Sequence, residues 1–350
     1  PAILARSTNI PALIQCKDIQ DDWDGKMAVV DGYNACVYVD PTPDLLKSLK
    51  KRQQEDQKKQ ALLQELKGKP NTTLDGKTIN VFANIGGMGD VGAVQQNDAG
   101  GVGLFRTEFV YLNCKDFPTE EYQFEAYKQV VESLAPRKVV VRTCDIGADK
   151  TVDYMKLDHE DNPALGYRAI RICLNRTELF LIQLRALLRA AQYGDLRIMF
   201  PRLDGVAAWD DCCREVSACR TQLKAEGIET VAPPMGCIID RPSAAVMAGD
   251  LLDHGAQLLA IDIEDLTRYT LGLLQSPTQA TTQLANPAVL RLVQGIVEQA
   301  KQRGVQVILC GVTVAAVAAM PEYLKLGIRT FSAEPAAILP LKKLMMEQEI

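Results

Sequence analysis

Ionisable side chains follow several apolar segments of this sequence, at the positions where buried strands would end. Arg106, Arg142 and Lys150 follow two of these segments, and such cations bind anions that carry several oxygens. Asp240 and Asp265 follow two others. Carboxylates that face one space repel each other unless a divalent cation lies between them, and Mg²⁺ combines one or two carboxylates with phosphate oxygens. The residue types therefore indicate a magnesium-dependent site for a small phosphorylated acid.

Cys310 is a further candidate, because it ends the apolar segment 305–309 and precedes Gly311. A thiol that stays protonated can donate a proton to a carbanion or an enolate. Cysteine is also a small apolar residue that packs well on strands, so a structural role is the alternative. His159 and His254 are the two histidines of the chain. Both lie in polar, irregular segments, which argues against a Ser-His-Asp triad.

The elements that position these residues form a regular series from about residue 80 onward. The predicted strands cover 79–83, 101–105, 138–141, 196–200, 235–239, 257–261, 306–309 and 328–331, and the predicted helices 89–97, 119–134, 177–191, 206–226, 242–252, 287–303, 314–326 and 335–347. Eight alternating pairs fit an α/β protein with a (β/α)8 TIM barrel better than an open doubly wound sheet. Because the carboxyl ends of barrel strands share one rim, the ionisable groups should converge there.

The segments before the barrel differ from it in pattern. Residues 1–43 contain short β segments that are too few for an independent domain. Residues 44–70 are rich in Leu, Lys, Glu and Gln, which predicts a helical linker. We expect residues 71–350 to form the barrel, preceded by this linker and by the remnant of another domain.

Composition excludes several classes of protein. The 350 residues carry a formal net charge of −5, and no basic patch interleaved with aromatic residues suggests nucleic-acid binding. No apolar run approaches the roughly 20 residues of a membrane span. The ten cysteines are scattered without a CxxC pair, which favours reduced thiols over disulfides or structural zinc. We expect a soluble cytoplasmic protein without a membrane partner.

Several sequence motifs carry a family resemblance that extends over nearly the whole chain. They are GVGLFRTEF at 101–109, VVRTCDIGADK at 140–150, NPALGYRAIRI at 162–172, LRIMFP at 196–201 and DLTRYTL at 265–271. Together they resemble the phosphoenolpyruvate-utilising enzymes and, among these, Enzyme I of the bacterial phosphotransferase system.

The resemblance implies specific roles around phosphoenolpyruvate (PEP). Its phosphate and carboxylate would be gripped by arginines, Mg²⁺ would be bound by two carboxylates, and a cysteine would protonate the enolate to give pyruvate. On this sequence the substrate-binding residues are Arg106, Arg142, Arg168, Asn84, Lys150, Glu264 and Asp265, the metal ligands are Asp240 and Asp265, and the catalytic cysteine is Cys310.

The resemblance also implies partners outside the chain. The phosphoryl acceptor of the family is a histidine in a swivelling domain, followed by a small residue and Ala-Ile/Leu-Ala-Arg. Residues 2–6 fit the latter run, so that histidine would lie immediately before Pro1 and residues 1–43 would be the remnant of its domain. A phosphocarrier protein that docks on a missing N-terminal domain, and a homodimer formed through the barrel, are expected on the same basis.

Five departures from the family pattern affect the expected site. Asp240 and Arg241 stand in a run that is Val-Glu-Thr-Pro in the family, Glu264 replaces an Asn, and Arg202, Gln275 and Val312 replace Met, Arg and Glu. Loss of the arginine at 275 alone would weaken phosphate binding by roughly 1.5 to 3 kcal/mol. A degenerate paralogue that serves as a regulatory or scaffolding partner is therefore the alternative to an active enzyme.

Overall fold

The computed structural model describes residues 21–32, 34–150, 152–273 and 277–350, together with residues 13, 16 and 19. These residues form two units, Pro1–Lys67 and Gly68–Ile350. The motif at residues 2–6 and Gln275 lie outside the described residues. The assignment of residues 1–43 to a phosphohistidine domain stays a prediction.

The first unit combines a β-hairpin with one long helix. Strands β1 (Ala28–Asp31) and β2 (Cys36–Val39) pair antiparallel, with Ala28 opposite Val39. Helix α1 (Pro43–Gln64) begins at the predicted position, where the Thr42 side chain accepts a hydrogen bond from the Leu45 amide. Because α1 buries none of its residues, its many charged side chains are solvated, as the sequence pattern indicates.

The second unit is a closed barrel of eight parallel strands, which confirms the predicted fold. Its strands are β3 (Asn80–Ile85), β4 (Gly101–Arg106), β5 (Lys138–Arg142), β6 (Leu196–Phe200), β7 (Met235–Ile239), β8 (Leu258–Asp262), β9 (Gln306–Val312) and β10 (Thr330–Ala333). Neighbours in the chain pair in order, and β10 closes the barrel on β3. All carboxyl ends therefore meet at one rim, which we call the barrel mouth.

Helices surround the strands. They are α2 (Val91–Gln96), α3 (Glu108–Leu112), α4 (Glu120–Leu134), α5 (Ile170–Asn175), α6 (Thr177–Ala190), α7 (Val206–Ala225), α8 (Pro242–Val246), α9 (Ala248–Asp253), α10 (Ile263–Leu271), α11 (Pro277–Thr281), α12 (Pro287–Gln302), α13 (Met320–Lys325) and α14 (Pro335–Met346). The predicted helix at 314–326 is a 3₁₀ helix, Val314–Ala319, followed by α13. Among the described helices, none combines the length and apolar character needed to cross a bilayer.

The core has two layers that follow the alternation of side chains along each strand. Residues such as Val139, Val141 and Ile239 face the helices and belong to the large outer cluster. The alternate residues form a smaller cluster inside the barrel, namely Leu104, Val140, Met199, Ile238, Leu258, Ala260, Ile308 and Cys310. The next residues on the inner faces of these strands lie at the mouth, directly above this apolar layer.

Candidate active site at the barrel mouth

Strand alternation brings most of the predicted site residues to one place. Arg106, Arg142, Asp240 and Asp262 each follow, two positions later, a residue of the inner cluster. Arg106 lies opposite Arg142 in the β4–β5 register, and Asp262 lies opposite Cys310 in the β8–β9 register. The predicted convergence of cations and carboxylates at the mouth therefore follows from the period of two along the strands.

Arg142 and Arg168 are held in place by carboxylates of the chain itself. Arg142 donates through Nη2 to Glu108 Oε1 at 2.8 Å, and its Nη1 lies 3.2 Å from Asp145 Oδ2. Arg168 donates through Nε to Asp145 Oδ1 at 3.1 Å and through Nη1 to Asp149 Oδ1 at 3.3 Å. Both arginines are buried. These ion pairs fix the positions of both guanidinium groups before any ligand arrives.

Asp145 is the common partner in this part of the mouth. Burial by itself would raise the pKa of this carboxyl, but the positive charges of Arg142, Arg202 and Arg168 lower it far below its usual range. Lys150 lies close by, since its Nζ donates to the backbone carbonyl of Asp145 at 2.7 Å. Asp145 therefore remains ionised and neutralises part of the positive charge around it.

Arg106 and Asn84 keep donors that the chain does not use. Among the described residues, the Arg106 guanidinium has no hydrogen-bond or ion-pair partner, and this side chain is partly exposed. Asn84 accepts a hydrogen bond from Ser332 Oγ at 2.6 Å through Oδ1. Its buried Nδ2 has no partner within the described part of the chain. These two groups are available to an anionic ligand.

Asp240 and Asp265, which were predicted to bind Mg²⁺, are bridged by a guanidinium group. Arg202 Nε lies 3.3 Å from Asp240 Oδ2, and Arg202 Nη2 donates to Asp265 Oδ2. The backbone amide of Arg202 also donates to Asp240 Oδ2 at 3.0 Å. Arg202 is buried. A positive side chain thus occupies the space between the two carboxylates in which the sequence predicted the cation.

Further guanidinium groups lie beside both carboxylates. Arg241 Nε lies 3.9 Å from Asp240 Oδ1, and Arg268 Nη2 donates to Asp265 Oδ1. A divalent cation bound to either carboxylate would meet strong repulsion from these charges. The residues present therefore do not fit Mg²⁺ at Asp240 and Asp265.

Burial raises the pKa values of three acidic groups at the mouth, namely Asp240, Asp262 and Glu264. Burial, against the opposing effect of Arg202, raises the pKa of Asp240 to about 6. Burial, together with the charges of Asp262 and Asp265, raises the pKa of Glu264 to about 7. Glu264 is thus partly protonated near neutral pH, which lessens its repulsion of an anionic substrate.

Cys310 faces the interior of the barrel at the level of the mouth. Its Sγ donates a weak hydrogen bond to the carbonyl of Gly103 at 3.8 Å. Burial, with a smaller contribution from Asp262, raises the pKa of the thiol well above its ordinary value. The group therefore stays protonated at neutral pH, as a proton donor must, and it also belongs to the inner apolar cluster. Packing and proton donation are compatible roles for this residue.

Comparison with known proteins places the chain in a family. The family described as "PEP-utilising enzyme, PEP-binding domain" matches residues 60–350. The chain belongs to the PEP-utilising enzymes. It is 38% identical over 348 residues to the phosphoenolpyruvate-protein phosphotransferase of Staphylococcus carnosus (strain TM300). The matched region covers 98% of this chain and 61% of that protein. It is 38% identical over 342 residues to the protein of the same name from Priestia megaterium, covering 97% and 60%.

The chain therefore carries the PEP-binding domain of this family, as the motifs predicted. It spans about three fifths of the length of these curated relatives. Of the five departures from the family pattern, Arg202, Arg241 and Glu264 all lie at the mouth. Val312 ends β9 as a buried apolar residue, so it adds no polar group to the site of this PEP-utilising enzyme.

Sequence reasoning assigned no role to Tyr269 and Arg268. Tyr269 Oη accepts a hydrogen bond from Arg202 Nη1 at 3.0 Å and donates one to the carbonyl of Ala164 at 2.9 Å. Arg268 pairs with Asp265. Both residues lie on α10, three and four positions after Asp265, and this helical spacing is the signal that could have identified them.

Proposed function

We propose that this chain is the PEP-binding barrel of a phosphoenolpyruvate-protein phosphotransferase. The complete protein would transfer the phosphoryl group of PEP to a histidine on a domain outside this sequence and release pyruvate. The observation that carries the proposal is the pair of unused donors at the mouth, Arg106 and the Asn84 amide, beside the guanidinium groups of Arg142 and Arg168. This arrangement matches an anion that bears both a phosphate and a carboxylate.

The internal ion pairs support binding by fixing the geometry in advance. Because Glu108 and Asp145 hold Arg142, and Asp145 and Asp149 hold Arg168, little side-chain freedom is lost when a ligand binds. Donors aimed at the oxygens where charge develops stabilise phosphoryl transfer more than mobile donors do. Lys150 would contribute positive charge at the edge of this cluster.

Cys310 would supply the proton of the second product. After the phosphoryl group leaves, the enolate of pyruvate takes the Sγ proton at its terminal carbon and becomes pyruvate. The thiolate that remains recovers a proton from water. The high pKa of the buried thiol supports this role, because the proton is retained until the strongly basic enolate forms.

The proposal assigns no step to Mg²⁺, because Arg202 lies between the two carboxylates that the sequence predicted as its ligands. The expected phosphocarrier protein, the homodimer formed through the barrel and the cytoplasmic location remain part of the proposal. They rest on the likeness to phosphoenolpyruvate-protein phosphotransferases.

The test uses the complete protein with PEP labelled in its phosphoryl group. We expect a phosphohistidine that is stable in base and labile in acid, together with one pyruvate for each group transferred. The Arg106→Met variant should lose most of this labelling. Arg197→Met, at the amino end of β6 and away from the mouth, should retain it. Absence of phosphohistidine in the unaltered protein would remove the proposal.

A degenerate paralogue is the second candidate, and the bridging of Asp240 and Asp265 by Arg202 is the observation that favours it. A scaffolding protein could keep the barrel while its carboxylates pair internally. Restoring the family residues at positions 240, 264, 275 and 312 separates the two candidates. A protein that has lost catalysis should gain turnover from these changes, whereas a retuned enzyme should lose it.

A further inference from the structure

We propose that the guanidinium group of Arg202 takes the place of a divalent cation at the barrel mouth, so that this site binds a phosphorylated carboxylic acid without a metal ion. The inference rests on the proposed function, since it concerns how the same site holds PEP. It makes Arg202 a ligand-binding residue and not only a structural one.

The contacts of Arg202 are those that a bridging cation would make. Its side chain reaches carboxylates from three parts of the barrel: Asp240 after β7 at 3.3 Å, Asp265 on α10, and Asp145 after β5 at 3.6 Å. Arg202 itself follows β6. One positive group therefore links the carboxyl ends of neighbouring strands, through an N–H bond to Asp265 and through ion pairs with Asp240 and Asp145.

The backbone and neighbouring side chains fix Arg202 in this place. It adopts a positive φ of 60°, which is rare for a residue with a Cβ. Its amide donates to Asp240 at 3.0 Å, and its Nη1 donates to Tyr269 at 3.0 Å. Only 4% of its side chain is exposed. Three independent features hold this side chain in place: the backbone conformation, a carboxylate and a phenol. The bridge is therefore a fixed part of the folded structure at the mouth.

Guanidinium groups already neutralise the two carboxylates that a metal ion would need. Three guanidinium groups, those of Arg202, Arg241 and Arg268, contact the two carboxylates Asp240 and Asp265. Outside this set, Arg241 also pairs with Asp204, and Arg202 lies near Asp145. The positive charge that a divalent cation would bring is thus already present, and a metal ion would have to displace Arg202 to bind.

These guanidinium groups have N–H donors that are available to a ligand. Arg241 Nη2 and Arg268 Nε are buried and have no hydrogen-bond partner within the described part of the chain, and Arg202 Nε forms an ion pair with Asp240 without a hydrogen bond. Buried donors without partners are costly and rare in proteins. Phosphate and carboxylate oxygens would satisfy them, whereas a metal ion would not, because a cation accepts no hydrogen bond.

The first experiment needs no variant. Binding of PEP to the 350-residue chain is measured by isothermal titration calorimetry in EDTA and again in excess MgCl₂. We expect the same dissociation constant in both buffers. A parallel titration with Mn²⁺, followed by electron paramagnetic resonance, should detect no ion bound to the chain in the absence of PEP. Binding that appears only with Mg²⁺ would overturn the inference and leave the proposed function intact.

The second experiment removes the guanidinium group of Arg202, so that a metal ion can take its place. Arg202→Met keeps an unbranched apolar stem but removes the guanidinium group, so binding of PEP in EDTA should weaken by roughly 10- to 100-fold. MgCl₂ should recover part of this loss, and Mn²⁺ should now bind between Asp240 and Asp265. Arg202→Lys, which keeps the charge but loses the fork, should retain more metal-free affinity than Arg202→Met.

Arg197→Met is the matched control, because it makes the same change at the amino end of the same strand, where Arg197 pairs with Asp195. It should bind PEP like the unaltered chain in both buffers. If Arg202→Met folds and keeps full affinity in EDTA, Arg202 is not the bridging cation. If the unaltered chain binds no PEP in either buffer, the proposed function fails, and this inference fails with it.

Discussion

The two ends of the barrel handle buried charge in opposite ways. At the amino end, Lys342 on α14 is fully buried and donates to Asp98, in the loop before β4, at 2.6 Å. At the mouth, by contrast, the arginines share carboxylates, and several N–H groups there have no partner among the described residues. The buried charge at the amino end is paired within the chain, whereas the mouth leaves N–H donors without a partner among the described residues.

Because of this difference, the charged residues at the amino end contribute to stability and those at the mouth contribute to ligand binding. A buried ion pair that is complete has nothing to offer a ligand, and removing one partner leaves the other charge stranded in the interior. A network with unused donors has lower stability than it could have, and it regains that free energy when an anion binds. We therefore expect substitutions at the amino end to change folding and substitutions at the mouth to change binding.

The largest effect should come from Asp98→Asn. Asparagine tolerates the positive φ of this position, but Lys342 would lose its countercharge, and we expect a loss of about 3 kcal/mol in the free energy of unfolding. Urea denaturation measures this loss. Lys342→Met and the double variant should be far closer to the unaltered chain, because neither leaves a charge in the interior: Asp98 is 34% exposed, so water can solvate its carboxylate. If Asp98→Asn is as stable as the unaltered chain, the contrast between the two ends breaks down.

Arg106→Met should give the next largest effect, and it should do so in binding alone. Loss of a charged hydrogen bond to the ligand weakens PEP binding by about 10- to 100-fold. Stability should change little, because this guanidinium pairs with no described residue. Calorimetry with PEP should show weaker binding in Arg106→Met but not in Asp98→Asn. Urea denaturation should show lower stability in Asp98→Asn but not in Arg106→Met. Equal affinity in Arg106→Met would exclude Arg106 as a ligand-binding residue.

The Asp98–Lys342 pair also predicts a smaller effect that depends on pH. Burial by itself would raise the pKa of Asp98, but the hydrogen bond from Lys342 and that from the Gly68 amide leave it lowered. A carboxyl with a lowered folded pKa stabilises the protein above its unfolded pKa and loses that effect as pH falls through the folded value. The stability gap between the unaltered chain and Asp98→Asn should therefore shrink below about pH 4. A constant gap down to acidic pH would contradict the pairing.

Cys310→Ala should have the smallest effect, both on the free energy of unfolding and on PEP affinity. The change removes one buried sulfur from the inner cluster, and we expect a cost of about 1 kcal/mol in the free energy of unfolding. PEP affinity should be unchanged, because a proton donor to the enolate acts after binding. A large loss of affinity in this variant would mean that the thiol contacts PEP directly.

Much of this architecture is predictable because it follows from local patterns. Alternation along the strands predicts the barrel and the convergence of Arg106, Arg142, Asp240 and Cys310 at one end of it. The pattern failed where backbone geometry changes without a clear signal. Strand β9 continues to Val312 although Gly311 has a φ of 81°, and short helices replace some long predicted ones.

The partners of the charged residues were harder to predict. Nothing in the local sequence shows that Arg202, with its positive φ, reaches across to Asp240 and Asp265. Such pairings depend on the distance between elements that are 38 and 63 residues apart in the chain. The types of side chain indicated a cation between the carboxylates, but they could not indicate that the cation is an arginine.

The most direct test of this account is a crystal structure of the chain soaked with PEP and Mg²⁺. We expect PEP at the barrel mouth, with its oxygens bonded to Arg106 and the Asn84 amide, and with Arg202 still between Asp240 and Asp265. PEP bound on another face, or a mouth that stays empty at saturating PEP, would contradict it.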